Sequence, residues 1–228
     1  MNRKIRELAH RYRVLVIMGI YMVVYLAAFF FLEQRKTQYH IIRSGLDSYI
    51  PFCEVFIIPY VLWFFYVSLT VIYLCVKKSE EAGKFAAFLI IGMTAFIVIS
   101  AIYPNGHRLR PQSFERDNIF TYMVSLLYQT DTSTNILPSI HVYNSIAVMI
   151  AVARAKEFRK HKLVSIAMQV LGVLIILSTV FLKQHSVVDV MLALILAAVV
   201  QLVVYRRTNE QEDSVRSKKD TILEMLRW

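Results

Sequence analysis

Six apolar runs, 14–32, 51–76, 85–103, 136–153, 163–182 and 187–205, come up to the length a helix needs to cross a hydrocarbon core, roughly 20 residues. No other feature restricts the possible folds so severely. In hydrocarbon every backbone N–H and C=O must find its partner within the protein, and the runs lack the alternating pattern of a barrel strand. The expected fold is therefore all-α: a polytopic membrane protein built as a six-transmembrane-helix bundle. The first run has no small-residue cleavage site after it and reads as a retained span, not a signal peptide. Composition agrees, with 57% apolar and 18% charged residues where soluble chains average about 45–50% and 25%. The expected plan is a basic cytoplasmic N-terminus over 1–13, a single six-helix membrane domain over 14–205 and a charged cytoplasmic tail over 206–228.

A net charge of +10 can signal nucleic acid, but here the cations lie between the apolar runs, so nucleic acid is excluded and the bilayer is the partner. Of the 26 Lys and Arg, 19 fall in segments on the N-terminal side of the membrane and 7 on the other. By the positive-inside rule both termini face the cytoplasm, in an integral protein expected in the plasma membrane. Tyr12, Tyr205 and Trp228 suit the interfacial preference of amphipathic rings. Cys53 and Cys75 share one apolar run, too far apart along a helix to bridge. The one long outer loop, 104–135, carries Phe114, Ile119, Phe120, Met123, Leu126 and Leu127 at spacings of three and four. This predicts a short amphipathic helix after Pro111, between spans 3 and 4.

Polarity inside the spans marks the site. Glu54, His141 and Asp189 are the ionisable groups within them, with His185 just outside the sixth, and all four fall within about two turns of the outer ends. A lone intramembrane His is satisfied by a neighbouring helix about as often as it serves a site; four groups at one depth read as a pocket. His185 and Asp189, four apart, are expected to stack on one face of the sixth helix, the carboxylate fixing the tautomer of the imidazole. In Pro138-Ser139-Ile140-His141 the proline is placed as the first helical residue, with Thr134 and Asn135 as possible caps, and the free amides of that helix end suit an anion. Asn144 and Ser145 extend a polar stripe, and His107, Arg108 and Arg110 follow the third span. The set is one that handles phosphate.

These residues resemble, in order, the three motifs of the type 2 phosphatidic acid phosphatase superfamily. Arg110-Pro111 corresponds to a Lys with Arg-Pro seven residues later, Pro138-Ser139-Ile140-His141 to Pro-Ser-Gly-His, and Ser178 followed by His185 and Asp189 to Ser-Arg followed by His and Asp. The resemblance implies that His185 attacks phosphorus to form a phosphohistidine, Asp189 orients it, His141 protonates the leaving group, and Arg110 and Ser139 hold phosphate oxygens. It implies no metal and no cofactor, and a phospholipid or isoprenoid phosphate as substrate. Tyr103 stands where the family has Lys, Ile140 where it has Gly and Thr179 where it has Arg. Lys183, Arg108 and His107 are the candidate replacement cations, and Tyr103 and Thr179 themselves would then face the substrate. Branches that move headgroups between lipids, similar to sphingomyelin and inositolphosphorylceramide synthases, also relax these positions.

The leading expectation is a lipid phosphate phosphatase acting at the outer face. The alternatives are a lipid phosphotransferase, a non-catalytic lipid-binding or transport protein with a degenerate site, and a hydrolase with a metal on His141, His185 and Asp189. Glu54 has no role by resemblance and is expected to be a hydrogen-bonded core carboxylate.

Overall fold

A computed structural model describes residues 3–77 and 79–205; the tail over 206–228, with Trp228, lies outside the described residues. Helices α1 (Arg3–Glu33), α2 (Ile57–Val76), α3 (Glu81–Ile102), α4 (Ile119–Thr130), α5 (Ile140–Arg154), α6 (Lys156–Arg159), α7 (Lys162–Phe181) and α8 (Val187–Tyr205) follow in chain order. Five of them carry segments long and apolar enough to cross a membrane, and α5 is a shorter apolar helix. The protein is an all-α integral membrane protein, and six crossings accord with five full-length helices and a short sixth.

The shorter helix departs from expectation. Instead of starting at Pro138, within an apolar run that begins at Ile136, α5 starts at Ile140 and has 15 residues. The reason is a long-range contact: Asn105 Oδ1 accepts the amides of Ile136 and Leu137 at 2.9 and 3.0 Å, which keeps that stretch out of the helix. Ser139, not Thr134 or Asn135, is the N-cap, accepting the Val142 amide, and Pro138 lies outside the helix. Its shortness suits its position. Helix α5 packs against α2, α3 and α7, so that Val142, Tyr143, Ala147, Val148, Ala151 and Val152 are all buried. Gly92 lets α3 approach it: a Cβ there would stand 1.9 Å from the Tyr143 ring.

At the end of the bundle where α1 finishes, two short parallel strands, β1 (His40–Ile41) and β2 (Asn105–Gly106), pair the α1–α2 and α3–α4 connections. The amphipathic helix is present as α4, but it begins at Ile119. Asn118 caps it, accepting the amides of Phe120 and Thr121 at 2.9 and 3.0 Å, so Phe114 and the charged run Glu115–Asp117 remain in the loop. Phe114, Phe120 and Val124 close an apolar cluster with Ile57 and Tyr60 of α2, which seats α4 over that end of the bundle. Cys53 and Cys75 are both free.

Candidate active site

The chain leaves α7 through Lys183, a non-glycine residue in the left-handed region (φ 54°). Its ammonium donates to the backbone carbonyls of Asp47, at 2.7 Å, and Ile50. Burial pushes this ammonium below its usual pKa, and it is committed to the α1–α2 connection instead of reaching over the site. The turn that follows places His185 before α8, not on it. Helix α8 opens on Ser186 as N-cap: its Oγ accepts the Val188 amide at 3.2 Å, and Asp189 Oδ2 reaches back to accept the Ser186 amide at 2.8 Å. The same Oδ2 lies 3.3 Å from His185 Nδ1. The expected pair therefore forms, through the reach of an N-capping carboxylate and not by stacking along a helix. With Nδ1–H directed at Asp189, Nε2 is the ring nitrogen that this contact leaves free.

A second carboxylate, which the sequence reading passed over, supports this corner. Asp47, buried in a short 3₁₀ helix over Gly45–Ser48, accepts the Ser186 hydroxyl at 2.7 Å through Oδ2 and the Val187 amide at 2.8 Å through Oδ1. The visible signal was the Ser44-x-x-Asp47 capping pattern in the connection between the first two spans, where Ser44 N donates to Asp47 at 2.6 Å.

His141 occupies the first turn of α5, its ring 5.9 Å from that of His185 between centroids. Trp63 and Tyr60 of α2 flank it at 4.2 and 4.5 Å, and neither of its ring nitrogens has a hydrogen-bond partner. Ser139 joins the two histidine-bearing elements, its amide donating to the Asp189 carbonyl at 3.3 Å while its hydroxyl caps α5. Ser145 bonds back to the His141 carbonyl at 2.7 Å.

The other expected residues divide. Arg110 reaches the edge of the site, donating to the carbonyls of Tyr128, Asp131 and Thr132 and to Gln184 Oε1 while lying over the Tyr128 ring. It staples the end of α4 to the residue before His185. Thr179 turns its hydroxyl onto the Ile176 carbonyl, while its own carbonyl accepts the amides of Gln184 and His185. Tyr103 stacks on His40 at 4.3 Å between ring centroids, at the surface, and Arg108 is exposed. His107 is no replacement cation. Its Nδ1 accepts the Leu109 amide at 3.1 Å, and burial, with His185 and Arg110 nearby, pushes its pKa down to about 3. Glu54 stands apart from the histidines and accepts Asn118 Nδ2 at 3.1 Å, with Arg116 at 3.5 Å, fastening the α3–α4 loop to the start of α2.

Two further acids, not singled out by the sequence analysis, lie at the site: Asp131 in the cavity wall and Glu33 behind it. Asp131 Oδ2 accepts the Tyr60 hydroxyl at 2.8 Å and faces Gln184 Nε2 at 3.4 Å. Glu33, at the end of α1, accepts Asn135 Nδ2 at 2.6 Å and the Thr132 hydroxyl. A small cavity of about 40 Å³ lies between His141, His185, Gln184, Asp131, Thr134 and Asn135. Beside it a far larger, mainly apolar cavity of about 640 Å³ extends between α1 and α2, and His141 and Asp131 line both. Among the described residues, no group of three His, Cys, Asp or Glu side chains is placed to hold a metal ion.

The two histidines of the ordered motifs thus line one cavity, and the aspartate backs His185. A family model, that of the PAP2 superfamily, matches residues 83–213. The chain belongs to the PAP2 superfamily. No curated protein and no solved structure matches it. The PAP2 region contains His141, His185 and Asp189, whereas Glu33, Asp47 and Tyr60 come from the chain before it. PAP2 members are generally phosphatases or phosphotransferases, chemistry for which a His–Asp pair facing a second His is suited.

Proposed function

We propose that this protein is a lipid phosphate phosphatase of the plasma membrane, acting at the extracytoplasmic face with both termini in the cytoplasm. The observation that carries the reading is the His185–Asp189 pair at 3.3 Å, with His185 and His141 lining one small cavity and His141 also lining the large apolar one beside it. His185 Nε2 attacks phosphorus and forms a P–N bond as the P–O ester bond breaks. His141 gives its proton to the departing lipid alkoxide, and Asp189 holds the positive charge that develops on His185. Water, losing a proton to His141, then attacks phosphorus; the P–N bond breaks and phosphate leaves. The large cavity takes the lipid chain. Along α1 its lining runs from Leu15 to Phe29, about 21 Å by helical rise, more than the roughly 15 Å of one leaflet. The cation asymmetry between the loops supports the orientation.

A lipid phosphotransferase, in which a second lipid alcohol replaces water, has one observation of its own. Asp131 lines the cavity and Glu33 bonds Asn135 of its wall from behind, while Lys183 is bound elsewhere. A phosphomonoester brings up to two negative charges and a diester one, and an acid-bordered site suits the smaller charge. Phosphate release from the purified protein tests the reaction, together with trapping of an acid-labile phosphoprotein that His185→Ala eliminates. Headgroup transfer from a diester in the absence of phosphate release would replace the first reading with the second.

A further inference from the structure

Among the described residues that line the small cavity there is no Lys or Arg. Lys183 is tied to the carbonyls of Asp47 and Ile50, and both terminal nitrogens of Arg110 donate to protein oxygens. Gln184 does line the cavity, together with His141 and His185. An amide side chain has an acceptor end and a donor end, which its neighbours orient. Here Arg110 gives a hydrogen to Oε1, so the acceptor end faces the guanidinium. The donor end turns the other way, and Asp131 Oδ2 accepts from Nε2 at 3.4 Å. That contact uses one of the two hydrogens on Nε2. The backbone holds the same corner, since the amides of Gln184 and His185 both donate to the Thr179 carbonyl at 3.0 Å. The cavity measures about 40 Å³; at roughly 10–15 Å³ for each water that such a space seats, it has room for about three oxygens, as many as a phosphoryl group carries without bridging.

We infer that Gln184 contacts the substrate, its Nε2 donating to a non-bridging phosphate oxygen, and that Arg110 is a positioning residue acting through it. A neutral donor then stands at a site where the resemblance places cations. With one hydrogen on Asp131 and the other on phosphate, the amide also separates two negative groups that would otherwise meet directly. The inference rests on the phosphate-site reading above and assigns a contact within that site.

The test measures binding of dodecyl phosphate to the full chain carrying His185→Ala, which prevents turnover, with dodecanol as a probe of the same length and no phosphate. Gln184→Met keeps the length of the side chain and loses the donor. A hydrogen bond to a charged oxygen carries about a tenfold to hundredfold change in affinity. Dodecyl phosphate should bind more weakly by that factor, while dodecanol binding, which damage to the fold would disturb, holds within about twofold. Arg110→Met should weaken phosphate binding by a similar factor when Gln184 is present, and by less than about threefold beside Gln184→Met. Unchanged affinity in Gln184→Met overturns the inference. So do losses that multiply in the double variant, because Arg110 would then hold phosphate by itself. Phosphate release from dodecyl phosphate, measured with His185 intact, separates this contact from the reaction. Release with an indifferent Gln184 leaves the reaction standing and removes the contact; a Gln184-dependent affinity without release does the reverse. Should Gln184→Met fail to fold, a structure of the unmodified chain with vanadate decides. Gln184 Nε2 within about 3.2 Å of a vanadate oxygen upholds the inference, and Arg110 in its place overturns it.

Discussion

Ser186 Oγ donates a 2.7 Å hydrogen bond to Asp47 Oδ2, joining the first connection of the chain to the residue that caps α8. Because the Ser186 amide bonds to Asp189, and Asp189 faces His185, Asp47 is linked to the proposed nucleophile through two intermediates. Replacing it should lower kcat with little change in KM. For Asp47→Ala we expect a fall of about ten- to a hundredfold, and a loss of about 1–3 kcal/mol of stability, since a buried hydroxyl and an amide lose their acceptor. Ser186→Ala combined with Asp47→Ala should give a coupling above about 0.5 kcal/mol in a double-mutant cycle. Strict additivity would show that the two act separately.

Asp189 serves two ends, the α8 cap and the His185 tautomer, and the substitutions separate them. Asp189→Asn retains an oxygen for the Ser186 amide, so the unfolding midpoint should hold while turnover falls by about a thousandfold or more. Asp189→Ala loses the cap as well, at about 1 kcal/mol. His185→Ala should abolish turnover in a folded protein. Residual phosphate release in that variant would point to another nucleophile.

On the proposed phosphatase reading, the Asp131 carboxylate in the cavity wall would oppose a dianionic substrate. Asp131→Asn keeps an acceptor for the Tyr60 hydroxyl and removes the charge, so KM for a lipid monophosphate should drop by about tenfold, the order expected for one charge at this range in a partly desolvated site. KM for a diester should move less. A larger effect on the diester would mean that Asp131 meets a cationic headgroup.

His107 should make stability depend on acidity. Its folded pKa of about 3 lies below its usual 6.5, so between those values the unfolded chain holds a proton that the native state refuses. Stability therefore falls as pH falls through this window, by about 1.4 kcal/mol for each unit. The unfolding midpoint followed from pH 7 to 4 should decline less steeply in His107→Gln. If the two slopes match, the acid sensitivity has another source.

Orientation can be read by labelling. A cysteine at exposed Arg108 should react with an impermeant thiol reagent applied from outside intact cells, and one at Lys160 should not. The reverse pattern would place the histidines on the cytoplasmic side.

How much of this was legible beforehand follows the range of each interaction. Span positions depend on local hydropathy, and His141 and Asp189, with His185 at the edge of the last run, are conspicuous because ionisable residues are rare there; in the structure His141 and His185 line one small cavity and Asp189 faces His185. Helix starts were less legible. The first turn of α5 is decided by Asn105, some thirty residues upstream, and the first turn of α4 by an Asn118 cap within a charged stretch.

Only the tertiary structure could assign the remaining polar residues. Asp47 reaches Ser186 across 139 positions of sequence, and Lys183, which reads as a cation free to approach phosphate, is taken by carbonyls of the same distant loop. Asp131 and Glu33 look like surface charges until Tyr60 and Asn135 are brought against them. Hydropathy along the chain determines which segments enter the bilayer, because each backbone group there must bond within its own helix. Which side chains surround the histidines depends on loops folding back over the end of the bundle, and no periodicity within a segment records that.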